Sequence, residues 1–243
     1  MADWLDRRVD EMRPQIERLE KELQLPEAFF ERLRVESDWS FVIKLHAVFE
    51  AVIVQALTGH LGQDCLADAF GYLDMSNVRS GKVAFARALG LLDAGEARFL
   101  AALSTLRNDL VHKVRNVGFS FDAYIKGLNT DQLNKFAGEF TAQSTPKQET
   151  SDWRQTKELM SRRPKDMIWF VGTSLLCLMF LKRKIAVYEH EKTRTNAALY
   201  EKHIEAQKQP TTLADLFKFG PSGDGLLSGR SEPDPGERPK ADE

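Results

Sequence analysis

The segment Arg107-Asn108-Asp109-Leu110-Val111-His112 gathers the side chains of this chain best suited to chemistry. An imidazole, with an unperturbed pKa of about 6.5, gives or takes a proton near neutral pH. A guanidinium offers a planar fork of donors that matches phosphate or carboxylate oxygens. The Asn108 carboxamide both donates and accepts. On a helix turning about 100° per residue, Asn108 and His112 lie about 40° apart and Arg107 lies about 140° from His112. A straight helix therefore keeps the Arg and His heads apart. A reaching Arg side chain, a distorted helix end, or two copies facing each other across a two-fold axis would bring them together. The same three residues also admit a purely structural reading, as helix-end hydrogen bonds and a dimer contact. A second Arg and His pair at similar spacing, Arg183 and His190, lies in a charged stretch.

The elements that must hold this segment follow from hydrophobic spacing. Ser37 is a plausible N-cap, and Phe41, Val42, Leu45, Val48, Phe49, Val52, Ile53, Ala56 and Leu57 then form a wide helical stripe that should end near Gly59 or Gly62. Glu50 interrupts that stripe one turn from His46, a carboxylate placed to reach Arg107. Lys82–Leu92 is apolar and helix-compatible, and Glu96–Val114 carries the motif on a stripe of Phe99, Leu103, Leu106, Leu110 and Val114. Phe119–Tyr124 reads as a short aromatic link. Thr130–Phe140 and Ser151–Ser161 read as helices, and Pro164 suits the first turn of a long last helix. No strand pattern and no internal repeat occur, so the expected fold is an all-α helical bundle.

Composition narrows the function classes. The net charge is -2, which supplies no global attraction for nucleic acid or anionic lipid. Charge is unevenly spread, however. Residues 1–78 hold 8 basic and 15 acidic side chains, whereas 79–118, around the motif, hold 7 basic and 3 acidic. Two cysteines, Cys65 and Cys177, far apart and among apolar residues, argue against a disulfide framework and fit a reducing cytoplasm. The charged first residues lack the apolar core of a secretory signal. Met167–Leu181 has no charged residue and precedes Lys182-Arg183-Lys184, but it is shorter than the roughly 20 residues a span requires. It is expected to be a buried core helix, with membrane anchoring as the third-ranked alternative. No metal-ligand spacing and no glycine-rich phosphate loop is present, so neither metal nor cofactor is expected.

Arg107-Asn108 followed by His112 resembles the Arg-polar-x-x-x-His motif of HEPN domains. Glu36-Ser37-Asp38 with the following apolar helix, and Ser80-Gly81-Lys82-Val83-Ala84-Phe85-Ala86-Arg87-Ala88-Leu89-Gly90-Leu91-Leu92, are similar to segments of mannitol-operon-repressor-like (MltR-like) proteins. The resemblance spans about residues 35–125. It implies a dimerising helical bundle and, for active HEPN members of toxin or defence type, metal-independent RNA cleavage. Carried over, His112 would be general acid or base at the 2′-hydroxyl or leaving oxygen. Arg107 would hold the scissile phosphate, and Asn108 would orient one of them. Lys113 and Arg115 would follow the RNA backbone, and Glu50 would orient Arg107. Val114 stands where nucleotidyltransferase-regulated HEPN toxins carry Tyr, so that form of regulation is in doubt. MltR-like relatives share the motif as regulators or interaction modules, which is the alternative reading.

The expected organisation is a charged helical arm over 1–34, a HEPN/MltR-like core over 35–140, a linker over 141–150, C-terminal helices over 151–208 packing on the core, and a disordered tail over 209–243. Within that tail, Leu213–Phe219 is an apolar cluster suited to docking a protein partner.

Overall fold

The structure is a computed structural model that describes residues 2–143 and 150–207. It divides into two compact units, residues 1–193 and 194–243. Among the described residues there are ten α-helices and no strand. They are α1 (Ala2–Glu22), α2 (Phe29–Val35), α3 (Asp38–Leu61), α4 (Ala67–Gly71), α5 (Lys82–Ala88), α6 (Ala94–Val111), α7 (Phe121–Lys126), α8 (Thr130–Phe140), α9 (Ser151–Arg162) and α10 (Pro164–Gln207). The chain is thus an all-α bundle with a long C-terminal helix. The tail over 209–243, with its apolar cluster 213–219, and residues 144–149 of the linker lie outside the described residues. In the second unit, residues 194–203 are helical and exposed.

Helix α3 is the axis of the first unit. Ser37 caps it, its Oγ accepting from Ser40 N at 3.2 Å. Gly62 ends it at φ 64°, a left-handed turn that glycine adopts without steric cost. Apolar residues from Phe41 to Leu57 are buried on nearly every side of it, against α2, α4, α5 and α6. It is the single helix among the described residues with the length and hydropathy of a membrane span, and most of that window is buried inside the bundle. The 167–181 run of α10 also supplies core. Met167, Ile168, Trp169, Leu175, Leu176, Met179 and Phe180 are buried, and Trp169 Nε1 donates to Phe30 O at 2.7 Å.

Helix α1 is more than a charged arm. Leu5, Val9, Ile16 and Leu19 make one stripe that enters the same core, because these four apolar positions recur on one face of an otherwise charged helix. Buried Glu20 accepts from Phe30 N at 2.9 Å and fixes the corner to α2.

Three boundaries differ from those read in the sequence. Helix α5 stops at Ala88, since Gly90 turns the chain at φ 72°. Helix α6 starts at Ala94 under a reciprocal capping box of Asp93 and Glu96. It stops at Val111, with residues 114–118 in a 3₁₀ turn. The segment Phe119–Tyr124 is largely helical, as part of α7. The Asp38 carboxylate accepts from Phe121 N at 2.8 Å, and Phe41 and Phe119 pack edge-on against Phe121.

Candidate functional site

Helix α6 separates two polar regions, and the motif residues are divided between them. On the side facing α3 and α5, Ser104 is 1% exposed and its Oγ lies 3.0 Å from His46 Nε2. His46 Nδ1 is 3.7 Å from Glu50 Oε2, and Lys82 Nζ is 3.4 Å from Glu50 Oε1. Both His46 and Lys82 are buried. Burial pushes the His46 imidazole below its ordinary pKa. Glu50 opposes that shift, and the charges of Arg107 and Lys82 reinforce it. His46 is therefore a neutral ring near pH 7, bonded to a hydroxyl.

Arg107 belongs to this side. It is partly buried, its charge is felt at His46, and its Nη1 donates to Asn108 Oδ1 at 3.0 Å. Glu50 does not form the expected ion pair with Arg107. Its ion-pair partners are Lys82 and His46. The cause is local: the turn after Asp74 is locked by Lys82 N donating to Asp74 O at 2.9 Å and Val83 N to Met75 O at 3.1 Å. That turn sets Lys82 at the first position of α5 with its ammonium directed inward.

His112 belongs to the other side. It is the C-cap of α6, with helical backbone (φ -77°, ψ -8°), and its ring is exposed. Its N–H donates to Asn108 O at 3.2 Å. Asn116 Nδ2 donates to Asp109 O at 2.6 Å, satisfying one of the carbonyls that a helix end leaves open. Lys113 and Arg115 follow, both exposed. Because the backbone stays helical through His112, the angular separation of about 140° from Arg107 holds. No hydrogen bond or ion pair joins Arg107 to His112 within one copy. Among the described residues, no three His, Cys, Asp or Glu side chains cluster at metal-binding spacing.

The His112 side carries a feature that the motif alone does not announce. Thr105, Asp109 and His112 recur at i, i+4 and i+7, on one face of α6. Thr105 and Asp109 line a cavity of about 380 Å³ between α6 and the α7–α8 pair, closed opposite by Tyr124, Phe136 and Glu139. Burial raises the pKa of Glu139, against the lowering influence of Lys135, whose Nζ is 3.8 Å from Oε1, and of Arg98. Burial also raises that of the Tyr124 phenol, and the charges of Asp109 and then Glu139 add to it. Two carboxylates and a phenol thus line one half-open cavity. The α6 half of this stripe was visible in the sequence. The other half comes from α7, read there as a link, and from α8.

Compared with protein-family models, curated proteins and solved structures, the chain matches none.

Proposed function

We propose that this chain is a HEPN-like, metal-independent endoribonuclease that works as a homodimer, with Arg107 of one copy and His112 of the other forming each site. The observation that carries the proposal is the exposed imidazole at the end of α6, followed at once by exposed Lys113 and Arg115. An imidazole within reach of a substrate serves as general acid or base. Flanking cations draw a phosphate backbone to it. Arg107, held by Asn108, presents the guanidinium that stabilises charge developing on the phosphate. Since the two heads lie on different sides of α6, a two-fold pairing of motif helices supplies the missing half of each site.

The test is incubation of the purified full-length chain with RNA in excess chelator. Cleavage is expected, and Arg107→Ala and His112→Ala should each lower it by about 100-fold or more, with circular dichroism unchanged. Absence of cleavage by the unmodified chain rejects the reading.

One observation favours a second reading, a non-catalytic MltR-like interaction module. Arg107 is partly buried beside the His46–Glu50–Lys82 cluster and is bonded to its neighbour Asn108. On this reading Arg107→Ala lowers the melting temperature or splits the dimer, and His112→Ala has no effect on either.

A further inference from the structure

We propose that the cavity between α6 and the α7–α8 pair is a nucleobase pocket that selects guanine in the strand bound at His112. The inference rests on the nuclease reading for why a nucleotide arrives there. The selectivity itself follows from the cavity.

A volume of about 380 Å³ lies in the range of small-molecule sites and accepts one planar heterocycle. Tyr124, 41% exposed, brings an aromatic ring to the wall of the cavity and meets the Phe136 ring at a tilt, 5.6 Å between centroids. Stacking on such a ring is tolerant of base identity. Choice between bases comes from the polar groups. The wall presents the carboxyls of Asp109 and Glu139, whose charges are both felt at the Tyr124 phenol. Carboxylates accept, so they favour a base edge with adjacent donors. Guanine presents N1–H beside its N2 amino group, a pair that matches a carboxylate's two oxygens. Uracil presents a single N–H between two carbonyl oxygens, which face the carboxylates with like polarity. Thr105 Oγ1, which donates its proton to Ala101 O at 2.9 Å, adds a further acceptor on the same face. Lys135, whose ammonium is 3.8 Å from Glu139 Oε1, and half-buried Arg98 also line the cavity, and exposed Lys113 and Arg115 follow His112 as cations suited to a phosphate backbone. The register of α6 places His112 one turn beyond Asp109, so a base in the cavity sets its own phosphate next to the imidazole.

The experiment is titration of the full chain with GMP and with UMP by isothermal calorimetry or ligand-observed NMR. GMP is expected to bind about tenfold or more tighter than UMP, as a matched bidentate edge implies. Glu139→Gln should erase most of that preference, and Tyr124→Leu should weaken both ligands. His112→Ala, which removes a group facing the phosphate that both ligands share, should leave the ratio of the two affinities unchanged. Equal binding of GMP and UMP, or a GMP affinity indifferent to both cavity variants, overturns the proposal. A chain that cleaves RNA without binding GMP loses this pocket alone, and one that binds GMP selectively without cleaving RNA keeps the pocket and loses the nuclease.

Discussion

His46 shows how a single buried side chain makes stability depend on pH. Its ring is 5% exposed, bonded to Ser104 Oγ, and burial holds its pKa below the ordinary value. The folded chain therefore resists taking a proton that the unfolded chain accepts readily. With the folded pKa depressed, stability is fully present above about pH 6.5 and is lost as the pH falls toward the folded value, by at most about 1.4 kcal/mol per pH unit. Melting temperature should fall between pH 7 and pH 5, and His46→Gln should flatten that part of the profile. A profile left unchanged by the substitution would mean that His46 is not the titrating group. Ser104→Ala, which removes the hydroxyl partner of a buried ring, should cost about 1 kcal/mol in urea unfolding. At this scale the sequence shows which groups exist and hides which of them meet. The i,i+4 step from His46 to Glu50 was legible. The approach of Lys82 to Glu50 was not, because it depends on how the Asp74–Gly81 turn folds.

Helix α6 holds the site in register, and its start is the fragile end. Asp93 Oδ1 accepts from Glu96 N at 2.7 Å, and Glu96 Oε2 accepts from Asp93 N at 2.7 Å. Buried Gly95 lies so close to Ala142 that an added Cβ would sit 2.0 Å from its carbonyl oxygen. Gly95→Ala should therefore cost about 1–3 kcal/mol by overpacking, although alanine is the better helix former. Asp93→Ala should cost about 1 kcal/mol by loss of the cap. Urea midpoints of the two variants check both, and a Gly95→Ala variant at least as stable as the parent would place α8 farther from α6 than described. The longer helices were readable in the sequence, including the cap of α3 at Ser37, whereas α4 and α7 were not. The ends were less readable. Gly90 turns the chain after α5 through its left-handed backbone, and α7 forms because Asp38, distant in sequence, caps Phe121. The split of the motif across two sides of α6 was implicit in the helical period, whereas the cavity beside it needed the packing of α8.

In the first unit as a whole, α1, α3 and the 164–193 part of α10 share one apolar core, so the residues outside the 35–125 resemblance are structural partners of those within it. Trp169 is 1% exposed and ties α10 to the start of α2 through Phe30 O. Trp169→Ala should cost about 3–5 kcal/mol and should appear as a large drop in the thermal midpoint. A drop near that of a surface substitution would contradict the shared core. The functional account makes a demand beyond this unit, because a guanidinium and an imidazole on opposite flanks of one helix act together only when a second chain is present. The most direct test is complementation. Copies carrying Arg107→Ala and copies carrying His112→Ala, each inactive alone, are co-expressed with different tags and the mixed dimer is isolated through both. One of its two shared sites is intact, so RNA cleavage should return to about half the wild-type rate per dimer. A mixed dimer as inactive as either variant, beside an active wild type, would contradict the shared site.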